Sequence, residues 1–257
     1  MRIEGRALVV RLKSRTVLSG LDVAAEPGEL TAVIGPNGAG KTTLLKVLAG
    51  LLAPAAGAVL LDGRAMADWP SPQRARALAY LPQDRTVHWA LSARAVVALG
   101  RLPHQPLGAG ESAADRHAIE AAVAAMDIGR LVDRPVLEMS GGERARVLVA
   151  RSLAQEPSAL LADEPAAGLD PAHQIALFRH FATLASAGRT VVVALHDLSL
   201  AARFCHRIVL MQSGRVVAAG TPEEVLKPEH LAAAYGIKAR YATIDGVPFV
   251  LATDVVP

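Results

Sequence analysis

A glycine-rich segment near residue 35 has the residue types and the spacing that bind phosphate. It reads Gly35, Pro36, Asn37, Gly38, Ala39, Gly40, Lys41 and Thr42, which matches the pattern G-x-x-x-x-G-K-[ST]. The glycines let several backbone N–H groups and the positive end of a helix dipole face one anion. We predict nucleotide binding here, with Lys41 reaching the β- and γ-phosphates and Thr42 ligating Mg²⁺, and we include Thr43 in the binding site.

Two carboxylates follow a second apolar run. The run Ser-Ala-Leu-Leu-Ala reads as a buried strand that ends on Asp163, and Glu164 follows on the turn. This order places Asp163 beside the phosphate loop, where Mg²⁺ and its waters need anionic oxygen. Glu164 is then positioned to polarise a water for attack on the γ-phosphate. For these two residues alone, a solvated pair of carboxylates at a strand end is the alternative interpretation.

The elements that must position these groups alternate between strand and helix. The apolar run 30–34 ends at the glycine-rich loop, and leucines and a valine at helical spacing follow Lys41. Two apolar runs, 158–165 and 190–197, flank a helical stretch and predict a βαβ unit in a buried parallel sheet. Ser213-Gly214 joins two β-rich runs as a predicted hairpin, and the C-terminal residues are strand-like.

An Ala-rich and Arg-rich helical segment lies between about Asp84 and Arg151 and reads as an insertion. We predict a single domain over residues 1–257 with three parts. These are a catalytic core with a β-subdomain from 1–83 and 156–230, a helical subdomain from 84–155, and a C-terminal extension from 231–257.

Composition excludes several classes of protein. Apolar residues make up 52% of the 257 residues and charged residues 20%, which excludes a disordered chain. The longest stretch without a charge or histidine, 47–61, is interrupted by glycines and a proline and predicts no transmembrane helix, and the amino terminus has no signal-peptide pattern. The net charge of +3 comes with no basic block, and Cys205 is the only cysteine. These features disfavour nucleic acid as a partner and favour the cytosol.

The segment Met139-Ser140-Gly141-Gly142-Glu143, upstream of Asp163 and followed by a helical run, resembles the signature of the ABC ATPase family. Ser140 and Glu143 also have the spacing of a capping box, and the two readings are compatible. In the family this helix start, with its exposed N–H groups, points at the γ-phosphate bound by the partner subunit. The resemblance therefore implies a homodimer with two ATP molecules sandwiched between phosphate loop and opposing signature.

Other positions match the family in order along the chain. Gln83 looks like the Q-loop glutamine, Asp170 like the end of the D-loop, and His196 like the switch histidine. The resemblance implies that Gln83 contacts Mg²⁺ and the attacking water, that His196 holds the γ-phosphate against Glu164, and that Asp170 senses the partner subunit. Taken singly, such a Gln or His is more often a solvated or structural residue.

The family resemblance predicts the fold class. It is an α/β fold with a P-loop NTPase (RecA-like) core, an N-terminal antiparallel β-subdomain and an ABC-type α-helical subdomain. The sequence departs from the family pattern at Met139, Glu143 and Gly168, where leucine, glutamine and alanine are usual. The usual adenine-stacking aromatic is missing near Arg11–Lys13, and Arg11 is the candidate to stack there instead.

The run Val-Val-Ala-Leu-Gly-Arg-Leu-Pro-His-Gln-Pro resembles the helical region of importers for ferric siderophores, haem and cobalamin. The alternative reading is only a helix that ends at 98–101 before a proline-containing loop. The resemblance implies a peripheral subunit on the cytoplasmic face of the inner membrane, bound to permease subunits through a groove near Gln83 to Leu99. It also implies that a periplasmic or extracellular binding protein is an indirect partner of this subunit.

Four other functions share parts of this pattern. An exporter ATPase or another importer ATPase has the same motifs for ATP binding and hydrolysis, so both of these functions stay open. Soluble ABC ATPases that act on nucleic acid bring long coiled coils, zinc modules or a second nucleotide domain, and this sequence has no sustained heptads and no zinc cysteines. A simple P-loop kinase has no use for the signature segment.

Overall fold

A computed structural model describes residues 1–84, 87, 90–106, 108 and 110–256. The chain forms two compact units. The first contains Met1–Trp69 together with the chain from Phe181 onward, and the second contains Pro70–His180. The predicted limits of the helical subdomain, 84–155, fall inside the second unit and stay a prediction.

The first unit contains an antiparallel sheet with the strand order β2-β1-β4-β5. Its strands are β1 (Ile3–Leu12), β2 (Arg15–Ala25), β4 (Ala56–Leu61) and β5 (Arg64–Ala65). Buried residues such as Leu8, Val10 and Leu18 point to one face, as the alternation of a half-covered sheet requires. This sheet is the predicted N-terminal β-subdomain.

Four further strands of the first unit have the order β10-β9-β3-β8. They are β3 (Leu30–Ile34), β8 (Thr190–Ala194), β9 (Arg207–Gln212) and β10 (Arg215–Gly220). β3 pairs in parallel with β8 and β9, and every residue of β3 and β8 is buried. Continuous apolar runs form these strands because both faces are covered. β9 and β10 form the predicted hairpin, and its turn residues Ser213 and Gly214 both have positive φ.

Helices and a C-terminal hairpin complete the first unit. The helices are α1 (Lys41–Leu48), α7 (Leu198–Phe204), α8 (Pro222–Val225) and α9 (Pro228–Tyr235), with a 3-10 turn at Met66–Asp68. The hairpin strands are β11 (Ile237–Ile244) and β12 (Val247–Val255), which account for the strand-like C-terminal pattern. Ser199 Oγ lies 3.1 Å from Val250 N, so the hairpin is attached to α7.

The second unit is built mainly from helices. They are α2 (Ser71–Ala77), α3 (Ala93–Ala98), α4 (Ala113–Ala125) and α5 (Gly141–Ala154), with 3-10 helices at Leu99–His104, Gly129–Leu131 and Val136–Glu138. Two strands, β6 (Leu78–Leu81) and β7 (Ala159–Asp163), pair in parallel, and α6 (Pro171–Ser186) begins in this unit and ends in the first. Apolar faces of α3, α4 and α5 pack together around Val97, Ile119 and Val147. Among the helices of the described residues, none has the combined length and apolar character that a bilayer-spanning helix needs.

Candidate active site

The phosphate loop connects β3 to α1, as the sequence predicts, and its glycines have backbone angles that favour glycine. Gly35, Gly38 and Gly40 have φ of 150°, 78° and 100°. A Cβ on Gly35 would lie 2.2 Å from the carbonyl oxygen of Met211, and one on Gly40 would lie 2.9 Å from Leu18 Cδ2. The neighbouring strands β9 and β2 therefore press directly on the loop, and a side chain at position 35 has no space.

Lys41 lies inside this loop. Its side chain is buried, and Nζ donates to the carbonyl oxygens of Gly35 at 2.7 Å and Pro36 at 3.3 Å. Thr42 and Thr43 are half-buried in the first turn of α1, which contains no acidic residue. An ammonium group and helix N-terminal amides at one place, with no carboxylate in that turn, suit a phosphate anion. The residues present therefore fit the predicted nucleotide.

His196 follows β8 at the same edge of the sheet as the loop. In the parallel register Val33 lies beside Ala194, and Leu195 N donates to Val33 O at 3.0 Å. The chain that continues from Val33 becomes the phosphate loop, and the chain that continues from Leu195 becomes His196. The histidine is exposed, and the next residue, Asp197, caps α7. Within the first unit the structure thus brings the phosphate loop and the predicted switch histidine together.

Asp163 and Gln83 are brought to one edge in the second unit. β6 and β7 are paired so that Leu81 lies beside Ala162, which puts Asp163, the last residue of β7, and Gln83, two residues beyond β6, at the same edge of this strand pair. Asp163 is 1% exposed and Gln83 is exposed. Burial, together with the negative charge of Asp163, raises the pKa of the Tyr80 hydroxyl. The sequence gives no sign of a contact between Asp163 and Tyr80, which is the penultimate residue of β6.

Glu164 has an uncommon backbone conformation. Its φ is +49°, in the left-handed backbone region that residues other than Gly, Asn and Asp rarely adopt. The turn is closed by Ala167 N, which donates to Glu164 O at 3.2 Å. Backbone strain of this kind concentrates at functional sites because the surrounding structure must enforce it. Other described non-glycine residues, among them Asp127 and Glu156, share this backbone region, and the conformation of Glu164 is compatible both with a residue placed for chemistry and with a solvated strand-end carboxylate.

The signature segment forms the capping box that its spacing predicts. Glu143 N donates to Ser140 Oγ at 3.2 Å, and Ser140 N donates to Glu143 Oε2 at 2.9 Å. The backbone and hydroxyl donors of Ser140 lower the pKa of Glu143. Gly141 is exposed with nothing within 4 Å of an added Cβ, whereas one on Gly142 would lie 3.3 Å from Gly168 O. The start of α5 therefore presents Ser140 and the helix N-terminal amides at the surface.

Asp170 has a local structural partner. Its Oδ1 accepts from His173 N at 2.9 Å, and its Oδ2 lies 2.7 Å from His173 Nδ1. Both hydrogen bonds to His173 lower the pKa of Asp170. The carboxylate thus lies at the start of α6, and no pattern in the sequence indicates His173 as its partner.

The described residues contain no group of three or more His, Cys, Asp or Glu side chains that could hold a metal ion by themselves. Magnesium at nucleotide sites is typically held by one or two protein ligands together with substrate phosphates and water. The predicted ligand set of Thr42, Gln83 and Asp163 has that sparse composition. Of the predicted permease groove, Arg85, Thr86, His88 and Trp89 lie outside the described residues.

Comparison with known proteins agrees with this set of features. Residues 18–167 match the family model described as ABC transporter. The chain belongs to the ABC transporter family, as an ATP-binding subunit. A relative from Pseudomonas aeruginosa, named hemin import ATP-binding protein HmuV, is 48% identical over 243 residues, 93% of each chain. A relative of the same name from Myxococcus xanthus is 43% identical over 256 residues, covering 96% of this chain and 95% of its own.

Solved structures of ABC proteins share the fold. One described as the ATP binding subunit of an ABC transporter has a TM-score of 0.78 and 28% identity, covering 88% of this chain and 92% of its own. A putative metal-chelate type ABC transporter in an inward-facing conformation has a TM-score of 0.83 at 24% identity, covering 98% and 97%. The predicted fold class is confirmed: an ABC ATPase with an antiparallel β-subdomain and a parallel P-loop core sheet.

Proposed function

We propose that this chain is the ATP-hydrolysing subunit of a hemin importer and that it works as a homodimer. The assignment of hemin as the cargo rests on similarity to hemin import ATP-binding proteins, which extends over more than nine tenths of both chains at 48% identity. The sequence alone left ferric siderophores and cobalamin open. An ATPase subunit does not contact cargo, so hemin is assigned through the transporter to which these relatives belong.

The phosphate loop binds the triphosphate of ATP. Its backbone amides and the ammonium of Lys41 surround the β- and γ-phosphates, since the loop already holds Nζ among its carbonyl groups. Thr42, Gln83 and Asp163 are the residues that would hold Mg²⁺, which supplies charge neutralisation on the phosphate oxygens. Arg11, at the tip of the β1–β2 hairpin, is the proposed contact to adenine.

Hydrolysis of ATP depends on three residues that follow strands of the core, Glu164, His196 and Gln83. Glu164 accepts a proton from the water that attacks the γ-phosphate, and its left-handed backbone fixes the direction in which the carboxylate leaves the strand. His196 donates a hydrogen bond to the γ-phosphate, and Gln83 orients the water. Each of these three residues follows a buried strand, so its backbone is held rigidly.

Dimerisation completes the proposed site. The amides of Gly141 and Gly142 and the hydroxyl of Ser140 lie at an exposed helix start, which is suited to an anion on another molecule. One chain carries one phosphate loop and one signature, so two copies arranged head to tail satisfy both. Asp170 lies near the same interface and responds to the partner. The solved relatives of this fold include a dimeric ABC transporter cassette.

The proposed partners and location follow from transport. The subunit binds permease subunits at the inner face of the cytoplasmic membrane, through a surface that includes Gln83 and Leu99. Leu99 is 37% exposed, and Leu102 three residues later is 60% exposed, which leaves apolar side chains available for a permease helix. A binding protein outside the membrane delivers the cargo.

The Glu164→Gln variant tests the ATPase mechanism. We expect it to bind ATP normally, to lose hydrolysis by a factor of about 100 to 10,000, and to accumulate an ATP-bound dimer in gel filtration. Glu229→Gln, on the exposed face of α9, is the matched control and should keep wild-type turnover. Near-normal turnover of Glu164→Gln contradicts the assignment of the base.

Cargo is tested by reconstitution. The chain, co-purified with its permease and placed in liposomes, should accumulate hemin in an ATP-dependent manner when the binding protein is present. Uptake of a ferric siderophore or cobalamin in preference to hemin contradicts the cargo and leaves the ATPase assignment intact.

A further inference from the structure

A buried ion pair in the second unit has no role in the mechanism above. Arg101 is 4% exposed, and its Nε donates to Asp115 Oδ1 at 2.8 Å. Its Nη1 donates to the carbonyl oxygen of Ala154 at 2.7 Å and to Glu156 Oε2 at 2.8 Å. We call these four residues the Arg101 clamp. It joins the 3-10 helix Leu99–His104 to the N-terminal turn of α4 and to the C-terminal end of α5.

The same 3-10 helix contacts the end of α5 at two more points. A Cβ on Gly100 would lie 2.1 Å from the carbonyl oxygen of Arg151, so the two backbones touch. His104 Nε2 lies 2.9 Å from the carbonyl oxygen of Gln155. Three positions of this 3-10 helix therefore contact the C-terminal end of α5, Gly100 by close backbone approach and Arg101 and His104 through carbonyl oxygens.

Gln155 extends this connection to β6. Its Nε2 donates to the carbonyl oxygen of Leu78 at 3.0 Å, at the start of the strand that leads to Gln83. The end of α5 is thus fixed from two directions. One is the Arg101 clamp, and the other is the strand that precedes the predicted Q-loop glutamine.

An arginine at this place specifies geometry more than stability. The last carbonyl groups of a helix have no partner within the helix, and the C-terminal end of its dipole favours a cation. A guanidinium offers donors in a fixed planar fork, so it can bind a carboxylate and a carbonyl at defined angles. A buried ion pair adds little stability compared with a well-packed apolar pair. The role left for Arg101 is therefore to fix the position of the C-terminal end of α5.

The position of that end controls the position of the signature. α5 has 14 residues and Ser140 is its N-cap, so the helix is a lever of about 20 Å. A tilt of about 3° at the clamp moves the Ser140 end by about 1 Å over this length. A displacement of about 1 Å in a catalytic group lowers a reaction rate by a factor of about 100.

We propose that Arg101 is a positioning residue for Ser140, which it controls through α5. The proposal rests on the proposed ATP-bound homodimer, because the signature of one copy acts on ATP held by the other. Arg101 touches neither ATP nor the reacting atoms. Its loss leaves ATP binding to the phosphate loop of a single copy unchanged and weakens the closed dimer.

The test compares Arg101→Met with Arg2→Met, each made in the Glu164→Gln background. Arg2 is the matched control because it forms an ion pair of the same length, 2.8 Å to Glu26, which is half-exposed and belongs to neither the phosphate loop, the signature nor the permease groove. Binding of a fluorescent ATP analogue to dilute monomer and ATP-dependent dimerisation are measured for both. We expect Arg101→Met to keep the monomer affinity and to raise the dimer dissociation constant about 10- to 100-fold, as the loss of one hydrogen bond to a charged phosphate would. Arg2→Met should change neither. A dimer as tight in Arg101→Met as in its parent overturns the proposal.

A second variant separates positioning from folding. Arg101→Met alone leaves Asp115 buried without its cation, so the double variant Arg101→Met/Asp115→Leu replaces the ion pair by an apolar pair. We expect its thermal midpoint to rise above that of Arg101→Met, but not fully to that of the parent because Asp115 also accepts the capping-box hydrogen bonds of Ser112, while its dimer stays weak. Recovery of dimerisation together with the midpoint shows a purely structural arginine and overturns the proposal.

These outcomes differ from those that refute the proposed function. If the Glu164→Gln parent itself forms no dimer with ATP, the homodimer mechanism fails before any Arg101 variant is compared. If the parent dimerises and Arg101→Met does so equally well, only the positioning role fails.

Discussion

The substitution Gly35→Ala tests the claim that neighbouring strands shape the phosphate loop. A Cβ at this position would lie 2.2 Å from Met211 O. Ordinary contacts of a Cβ with an oxygen are at about 3.2 Å or more, so loop and strand must separate by about 1 Å. Both are backbone, and β9 is held in the sheet by its pairing with β3 and β10. The loop is therefore the part that moves.

The magnitude follows from two separate effects. Forcing a residue with a side chain into the backbone conformation of Gly35, with φ of 150°, costs about 1 to 3 kcal/mol. The displacement of about 1 Å then moves the amides that bind phosphate, which lowers the rate of hydrolysis by a factor of about 100. ATP affinity should fall as well, because the same amides hold the triphosphate.

Gly63→Ala is the matched control. Gly63 lies in the first unit with φ of +79°, and an added Cβ there has nothing within 4 Å. This variant places a Cβ at a positive φ, in the left-handed region rather than at 150°, and causes no steric displacement. Calorimetric titration with ATP and thermal unfolding separate the two, since both variants should lose stability and only Gly35→Ala should lose ATP affinity. If Gly35→Ala binds ATP with the same affinity as Gly63→Ala, strand β9 does not shape the phosphate loop and the reasoning is wrong.

Four further predictions use other parts of the chain. Ser140→Arg should leave ATP binding to the monomer intact and abolish turnover, and equal loss of monomer binding would contradict a role in the opposing subunit. Arg11→Ala should raise the KM for ATP several-fold and reduce the preference for ATP over GTP, as measured in steady-state assays; an unchanged ratio would remove Arg11 from the base site. Burial raises the pKa of Cys205, so the native thiol should resist iodoacetamide at pH 8 and react only after unfolding, which mass spectrometry detects. Arg101 holds the pKa of Asp115 below its usual range; the stability this adds is present above about pH 4 and is lost as pH falls further, so Asp115→Asn should show a shallower acid-induced loss in urea titrations.

Local patterns predicted much of the molecule. The glycine-rich loop between a strand and a helix, the capping box at Ser140 and the hairpin turn at Ser213-Gly214 all appear where the sequence places them. Each depends on residues close together in the chain, whose types determine the backbone angles or the hydrogen bonds directly. The roles of the signature and of His196 required the family resemblance, because neither residue is distinctive by itself.

Contacts between distant segments were not predictable in the same way. The segment at 98–101 read as a helix end before a proline loop, yet the chain continues as a 3-10 helix to His104 and turns Arg101 inward. No periodicity shows that Arg101 meets Asp115 and the end of α5. Tyr80 and Asp163 become neighbours only because β6 and β7 pair. Such pairings depend on the register of the folded chain, which one sequence does not display.

The left-handed backbone of Glu164 sets two kinds of selection against each other. Glycine would occupy φ of +49° with less strain, by about 1 kcal/mol, than a residue with a Cβ. A library randomised at this codon and screened only for heat resistance should therefore enrich glycine, while a screen for ATP-dependent transport should retain glutamate. The identity of residue 164 then records which of the two pressures a population has experienced.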